Sequence, residues 1–436
     1  MIQLILFLAG IRVINSLAND VAQKPPMGWS SWHAYGCESC TSISDNQCLT
    51  EASIKDVVNT MTDDGFTTAG YEFIILDDGW QADYRNGVHL QPNSQRFPTG
   101  MIDLADFIHN KNMKLGLFSD LGPTSGCGLP GTAEHFKEDA DTFAHWGVDY
   151  VKMSGFTANP YAMDVEYPLF GYYLHETKRK MVYATSWPVL QQSFDQYFRV
   201  NYWSVATYCN TWRFARDVLP NWNTLLNIMD TYAYLQSRLI VVVQENKMAW
   251  NDADLLVVGQ NNVTLDQCRA QMAVWSIIPS PLIFSKHPRS LTAEQRALLK
   301  NEAVIKVNQD DLGLPGERFD QRSNIDIWRR RIAPTSNLSY SYAIAFVNTQ
   351  EYGLPIEFTI PLHELGLRHI PGYFVTDLFP SRTSFYSRTV MEPTAVLRMR
   401  INPSGVAFFK AEVIVNQNIY YAFLPPPTEG IVRHLV

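Results

Sequence analysis

Two short segments of the chain carry polar side chains where an apolar run ends. The run Tyr71–Leu76 is followed by Asp77 and Asp78, and a second run ends with Lys152 and Ser154. Because side chains alternate along a strand, Lys152 and Ser154 point the same way. Carboxylates accept hydrogen bonds from sugar hydroxyls, and a lysine fixes hydroxyl orientation. These residue types therefore indicate a site for a polyhydroxylated ligand.

Further residues of this chemical character recur at the ends of predicted strands. They are Trp32, Arg213, Asp217 and Asp254. A tryptophan face stacks on the apolar face of a pyranose, and an arginine tunes the pKa of nearby carboxylates. Each residue alone has an ordinary explanation, since Asp-Asp after a strand is often a helix cap and an isolated Trp is usually core. Their ordered recurrence is the more specific signal.

The elements that must position these residues alternate between strands and helices. Apolar runs about 35 residues apart, separated by amphipathic patterns, predict parallel βαβ units. We therefore predict an α/β fold, with a (β/α)8 TIM barrel over residues 19–310 and an active site at the C-terminal ends of its strands. Beyond Asn308 the short strands lack intervening helices. They predict a C-terminal antiparallel β-sandwich domain over residues 311–436.

Composition and the N-terminus restrict the class of protein. The net charge of −8 argues against nucleic-acid or anionic-membrane partners. Residues 1–18 predict a secretory signal peptide, with a short anchor as the alternative. Sequons at Asn262 and Asn337 suit a secreted or lysosomal glycoprotein. Scattered histidines and the lack of a Gly-rich phosphate loop predict no metal and no cofactor.

The motifs resemble those of glycoside hydrolase family 27, the α-galactosidases and α-N-acetylgalactosaminidases, over nearly the whole mature length. The matching segments are 25–32, 76–80, 114–120, 127–131, 146–152, 208–213, 250–254 and 307–310. The resemblance implies binding of glycans that end in α-linked galactose or N-acetylgalactosamine (GalNAc). The sugar-binding positions it implies are Trp32, Asp77, Asp78, Phe118, Lys152, Ser186, Arg213 and Asp254. Homodimers are common in the family, although no interface is readable in this sequence.

The resemblance also implies a retaining mechanism with two carboxylates. The acid/base position falls on Asp217, whereas the nucleophile position falls on Ser154. A serine hydroxyl is a poor nucleophile without a base beside it. Its presence is expected to add about 5 kcal/mol or more to the barrier. Alternation turns Asp149 away from the barrel mouth, while Asp164 and Glu166 lie on the following loop and could reach in.

The cysteines are expected to pair in an oxidising compartment. Cys40 and Cys48 form the most natural pair, because they close a small loop. The resemblance implies that three other cysteines have lost their partners. These are Cys37, Cys127 and Cys209, and the partner positions hold Gly79, Phe156 and Thr185. Only Cys40–Cys48 is then expected to survive. Two explanations stay open: a pocket remodelled after catalysis was lost, or independent drift with the remaining cysteines, Cys268 included, pairing elsewhere.

The specificity segment Ser186-Trp187-Pro188 resembles the family version that has a small residue before Trp-Pro. That version leaves room for a 2-acetamido group, which favours GalNAc. Phe118 stands where the family usually has Tyr and keeps the stacking surface. The segment 190–201 departs from the family, so this side of the subsite is expected to differ.

Three functions follow from these observations. The favoured hypothesis is sugar binding, with hydrolysis lost or much weakened by Ser154. The first alternative is an active retaining α-glycosidase that uses Asp217 and a different nucleophile. The second is glycosyl transfer, because the small serine leaves a cavity that could admit an activated sugar donor or an external anion.

Overall fold

The computed structural model describes residues 20–37, 48–195, 197–246, 248–336, 339–380 and 386–415. Within it the chain forms two compact units, divided between Arg318 and Phe319. Three predicted features lie outside the described residues: the signal peptide, Cys40 and the sequon residue Asn337.

The first unit contains a parallel eight-stranded sheet with helices between its strands. The strands are β1 (Met27–Ser30), β2 (Phe73–Leu76), β3 (Lys114–Asp120), β4 (Tyr150–Ser154), β5 (Val182–Thr185), β6 (Thr211–Arg213), β7 (Trp250–Asp252) and β8 (Leu282–Phe284). The α-helices are α1 (Trp32–Tyr35), α2 (Glu51–Asp63), α3 (Gly100–His109), α4 (Phe136–His145), α5 (Met163–Glu176), α6 (Trp187–Phe194), α7 (Tyr202–Tyr208), α8 (Trp222–Glu245), α9 (Leu265–Ile277), α10 (Ala293–Leu299) and α11 (Glu302–Asn308), and a 3-10 turn spans Pro288–Ser290.

The sheet curls until its ends meet. Strands β2 to β7 follow one another in the sheet, and β1 pairs with both β2 and β8. Just after β7, Leu256 forms a parallel bridge with Phe284 of β8, and its N–H donates to the Ile283 carbonyl at 2.7 Å. The predicted barrel is confirmed.

Close strand packing at two positions requires glycine. A Cβ on Gly28 would lie 2.4 Å from the carbonyl oxygen of Phe73, and one on Gly116 would lie 2.8 Å from Cγ1 of Ile75. Neither separation is sterically allowed, so the glycines let β1 and β3 approach β2, the strand that carries the two aspartates. β2 is buried along its whole length, as its uninterrupted apolar sequence predicts.

Capping boxes fix where helices of the barrel begin. The Thr264 hydroxyl accepts a hydrogen bond from the backbone N–H of Gln267, the backbone N–H of Thr264 donates to the side-chain oxygen of Gln267, and α9 starts there. The same arrangement occurs at Thr50 for α2 and at Thr292 for α10. Thr264 is also the third residue of the described sequon, whose Asn262 is exposed with φ of 66°.

The second unit is antiparallel. Its strands are β9 (Glu317–Arg322, which begins before the division), β10 (Ile325–Ser336), β11 (Ser339–Asn348), β12 (Ile356–Pro361), β13 (Tyr373–Asp377), β14 (Thr389–Met391), β15 (Val396–Ile401) and β16 (Val406–Val413), and a 3-10 turn spans Leu362–Leu365. A six-stranded sheet has the order β14-β13-β16-β11-β10-β9, and β12 pairs with β15. Apolar side chains from both sheets share one core. The predicted antiparallel domain is confirmed. No helix among the described residues is long and apolar enough to cross a membrane.

Candidate active site

Asp77 joins three elements at the C-terminal end of the barrel. Its buried Oδ2 accepts hydrogen bonds from Nζ of Lys152 at 2.6 Å and from Oγ of Ser30 at 3.0 Å, and its N–H donates to Oγ of Ser31 at 2.7 Å. Burial acts to lower the pKa of Lys152, but the carboxylates of Asp77 and Asp254 outweigh it and raise that pKa. Lys152 is therefore an ammonium group at neutral pH, paired with a carboxylate.

Asp78 is also buried, and one of its oxygens has no hydrogen-bond partner among the described residues. Oδ2 accepts the backbone N–H of Cys127 at 2.8 Å. No hydrogen-bond donor among the described residues reaches Oδ1. Burial raises the pKa of Asp78, although hydrogen bonds from Ser125 and Cys127 act in the opposite direction. The two aspartates thus differ: Asp77 is neutralised by a cation, while Asp78 is held by neutral donors.

The two aromatic side chains expected at the sugar site occupy different settings. The Phe118 ring is buried, and Nζ of Lys152 lies 5.9 Å from its centroid. The Phe118 carbonyl accepts the indole N–H of Trp80 at 2.8 Å, which fixes the end of β3. Trp32 is half-buried on the single turn α1. Its backbone N–H donates a hydrogen bond to Oγ of Ser30. Ser30 therefore links Trp32 to Asp77.

Ser154 is the last residue of β4 and faces a carboxylate. Its register partner on β3 is Asp120, and the Ser154 hydroxyl donates a hydrogen bond to that carboxylate. Asp120 is fully buried, and it also accepts the N–H groups of Gly122 and Phe156, each at 2.9 Å. Burial raises the pKa of Asp120, and these donors oppose that shift. Asp120 is therefore saturated with donors and held behind the serine.

Arg213 organises the opposite side of the site. Nη1 lies 2.9 Å from Oδ1 of Asp254, and Nη2 lies 3.2 Å from Oδ1 of Asp217. The side chains of Arg213 and Asp254 are less than a tenth exposed, whereas that of Asp217 is 83% exposed. Asp217 can therefore meet a ligand from solvent while one oxygen stays paired. A small cavity between the two sides is lined by Lys152, Ser186, Arg213 and Asp254, among others.

None of the carboxylates considered as substitute nucleophiles contacts Ser154. Asp149 lies at the other end of β4, where it pairs with Arg179 at 2.6 Å and His109 at 2.7 Å. Asp164 accepts hydrogen bonds from Trp187 at 3.0 Å and Gln191 at 2.9 Å. Glu166 is half-buried on α5, and burial raises its pKa. The expectation that Asp149 points away is therefore confirmed.

The disulfide pattern corrects one prediction. Cys37 and Cys127, each expected to lack a partner, are bonded to one another across 90 residues of sequence. The loops after β1 and β3 meet above β2, so two cysteines left without their partners lie within bonding distance. A Cβ on Gly79 would still lie 3.6 Å from the Gly36 carbonyl, beside Cys37. Cys48 is disulfide-bonded, and its expected partner Cys40 lies outside the described residues.

Cys209 lies next to Thr185, the residue at the partner position that the resemblance implied. Its thiol is free and buried, and it is hydrogen-bonded to Thr185. Burial raises the pKa of the Cys209 thiol to about 12, so it stays protonated. Cys268 is free and buried as well, and its pKa is likewise raised to about 12. Cys209 is therefore hydrogen-bonded to the residue that stands at its implied partner position.

Known proteins match this chain along most of its length. The family model described as alpha galactosidase A matches residues 24–310, and that of its C-terminal beta sandwich domain matches 313–405. Human alpha-galactosidase A is 34% identical over 91% of this chain and 90% of its own, and chicken alpha-N-acetylgalactosaminidase is 32% identical over 90% and 94%. The chain belongs to the alpha galactosidase A family. The fold is shared by alpha-galactosidase I of Mortierella vinacea, with a TM-score of 0.75 and 23% identity over 90% of this chain and 98% of that one.

Within this alpha galactosidase A fold, sequence reasoning missed Asp120 and Asp252 as members of the site. Asp120 has the strand parity of Phe118, which was the available signal for it. Asp252 ends β7, lines the same cavity as Lys152 and Arg213, and has a pKa that burial raises. Both residues lie within segments that were matched to the family as whole motifs, and neither was considered separately as a site residue.

One further cluster in this family member groups potential metal-binding atoms. It consists of Cys37, Asp78 and Cys127. The two sulfurs are joined in the disulfide, so they are not available as thiolate ligands. The cluster is better described as part of the support for Asp78.

Proposed function

We propose that this protein binds glycans that end in α-linked galactose or GalNAc, with hydrolysis lost or much weakened. The observation that carries the proposal is the environment of Ser154. At the position where the family mechanism needs a carboxylate, the chain has a hydroxyl, and that hydroxyl donates to Asp120. An uncharged donor cannot stabilise an oxocarbenium-like transition state as a carboxylate does.

The binding half of the proposal rests on the polar groups that remain. Oδ1 of Asp78 is buried and accepts no hydrogen bond from the described residues, so a ligand hydroxyl that reached it would supply the missing donor. Nζ of Lys152 and Oδ2 of Asp77 are 2.6 Å apart, and this ion pair offers further hydrogen-bond donors and acceptors to a sugar. Arg213 and Asp254 form a similar buried pair on the facing side. Charge-assisted hydrogen bonds of this kind are among the stronger polar contacts available to a sugar.

The proposed loss of hydrolysis rests on the surroundings of the carboxylates that lie near Ser154 in the described part of the chain. Asp120 is the carboxylate nearest to Ser154 in the strand register, but it is fully buried and both its oxygens accept backbone N–H groups. The Asp164 carboxylate already accepts hydrogen bonds from the side chains of Trp187 and Gln191. Asp217 retains the acid/base position, and by itself it supplies only half of the two-carboxylate mechanism.

Two finer features complete the proposal. Ser186 lines the cavity with a small side chain, which favours GalNAc over galactose as the terminal sugar. The protein enters the secretory pathway through residues 1–18 and is secreted or lysosomal, with glycosylation at Asn262 and Asn337. The exposure of Asn262 supports modification at that residue.

The test compares binding and turnover on the same purified protein. We expect the wild type to bind methyl α-GalNAc or methyl α-galactoside in calorimetry, to lose this binding in Asp78→Ala, and to release no product from the matching chromogenic glycosides. Robust turnover by the wild type, abolished by Asp217→Asn, would instead establish the active retaining glycosidase. Failure of the wild type to bind either sugar overturns the proposed binding.

A further inference from the structure

A second, larger depression lies next to the exposed Asp217. It is a cleft of about 400 Å³ between α6, the loop after β6 and the start of α8. This volume falls in the range of small-ligand pockets. Asp217 lines the cleft, and Arg213 connects Asp217 to the small cavity described above. The two depressions therefore adjoin along the Arg213 side chain.

The cleft has the chemistry of a site for a neutral, hydroxylated ligand. Its polar side chains are mostly amides and hydroxyls: Gln192, Ser193, Thr224, Asn227 and Thr231. Apolar side chains such as Val189 and Ile228 form buried parts of its wall. Amide and hydroxyl groups exchange hydrogen bonds with sugar hydroxyls, while apolar walls contact the C–H faces of the rings. Arg216 and Asp217 are of opposite charge, so the cleft has little net charge.

Several of these polar groups are available to a ligand. Within the described part of the chain, the side chains of Ser193, Asn227 and Arg216 make no hydrogen bond, and all three residues are exposed. Thr224 instead caps α8 together with Asn221, to which its hydroxyl donates at 2.9 Å. Ser193 lies on α6, Asn227 on α8 and Arg216 on the loop after β6, so the free groups come from all three elements that line the cleft.

The position of Asp217 indicates which part of a bound glycan would reach this cleft. The acid/base carboxylate of a glycosidase site contacts the glycosidic oxygen, which joins the terminal sugar to the next one. If the terminal sugar lies among Asp78, Lys152 and Arg213, the next sugar continues past Asp217. Asp217 lines the cleft, so a sugar placed next to the Asp217 carboxylate would be beside the cleft.

We propose that the cleft beside Asp217 binds the second sugar of the glycan, so that the protein recognises an oligosaccharide rather than a terminal sugar alone. This inference rests on the proposed function, because it places the terminal sugar by the same residues. Ser193 and Asn227 provide hydrogen bonds to the second sugar. Gln192 and Ser193, on the α6 wall of the cleft, fall in the segment 190–201, where the resemblance to the family was expected to be weakest.

Two ligands test the cleft by calorimetry on the full chain. One is the methyl α-glycoside of the terminal sugar, and the other is a trisaccharide that ends in the same α-linked sugar. We expect the wild type to bind the trisaccharide about 10-fold more tightly, on the scale of one or two additional hydrogen bonds. The variant Ser193→Ala/Asn227→Ala should lose most of this advantage and bind the methyl glycoside as the wild type does. Asn223→Ala, an exposed asparagine on α8 outside the cleft, is the matched control.

The outcomes separate the two proposals. Equal affinities for both ligands, or an advantage that survives in the double variant, overturn the role of the cleft and leave terminal-sugar binding in place. Binding of neither ligand overturns the proposed function and the cleft together. Because the substituted side chains are exposed, the variants are expected to fold, which circular dichroism and the melting temperature will verify.

Discussion

Ser154 and Asp120 are register partners at the ends of β4 and β3, joined by a hydrogen bond from the serine hydroxyl to the carboxylate. The bond gives the hydroxyl a fixed direction and places a buried negative charge behind it. That charge could be taken for a replacement catalytic group. However, Asp120 already accepts the N–H groups of Gly122 and Phe156, and it has no solvent exposure. The pair is therefore a structural link between the adjoining ends of β3 and β4.

Replacing Ser154 by aspartate should create turnover. The new carboxylate would face the anomeric carbon, and stabilisation of the transition state should raise the rate on a chromogenic α-GalNAc or α-galactoside by about 10³-fold or more. Ser237→Asp, at an exposed site on α8, controls for added charge. Equal rates for wild type and Ser154→Asp would contradict the assignment of Ser154 to the nucleophile position.

Breaking the pair of Asp77 and Lys152 should be costly. Lys152→Met leaves the carboxylate of Asp77 buried without its cation, and we expect a loss of about 3–5 kcal/mol in the free energy of unfolding. The double variant Asp77→Asn/Lys152→Met should recover part of this loss. Lys137→Met, which removes the exposed partner of Asp141, should leave stability unchanged. Urea titration measures all three, and a similar effect for Lys152 and Lys137 would refute the role of burial.

The disulfide of Cys37 and Cys127 should support the sugar site as well as the fold. Removing it in Cys37→Ser/Cys127→Ser is expected to cost about 2–5 kcal/mol of stability. It should also weaken sugar binding, because the Cys127 N–H that holds Asp78 lies on the bridged loop. Cys268→Ser, a free buried cysteine, is the control. Unchanged affinity in a folded double variant would show that the loop holds Asp78 without the bridge.

The stability contribution of Asp78 should depend on pH. Burial raises its pKa in the folded state, so the folded protein holds that proton more tightly than the unfolded chain does. The contribution is complete below the unfolded-state pKa and is lost as pH rises through the folded-state pKa. Asp78→Asn does not titrate, so it should become more stable relative to wild type as pH rises over that interval. Unfolding in urea from pH 3 to 7 measures the difference, with exposed Asp83→Asn as reference. A difference of the opposite slope would contradict the direction of the shift.

The side chain at position 186 should set the terminal sugar. Ser186→Glu places a longer, charged group in the cavity beside Lys152 and Arg213, which removes space for a 2-acetamido group. We expect affinity for methyl α-GalNAc to fall relative to that for methyl α-galactoside. Competition calorimetry with both sugars gives the ratio, and an unchanged ratio would locate the acetamido group elsewhere.

The sequence by itself determined the barrel, the antiparallel domain and the set of polar residues at the strand ends. These follow from local periodicity and from short motifs, because strand parity decides which side chains point to the barrel mouth. Strand parity placed Ser154 on the same side as Lys152, and the resemblance to the family assigned it to the nucleophile position. The direction of Asp149 followed from the same rule.

Only the tertiary structure decided the contacts between strands and loops that lie far apart in the chain. Cys37 and Cys127 are 90 residues apart, and their pairing depends on two loops meeting above β2. The bond of Ser154 to Asp120 depends on the register between β3 and β4. The exposure of Asp217 beside the buried pair of Arg213 and Asp254 depends on how the loop after β6 packs. Local sequence patterns set the direction of a side chain, whereas its partners and its distance from water are set by the packing of the whole barrel.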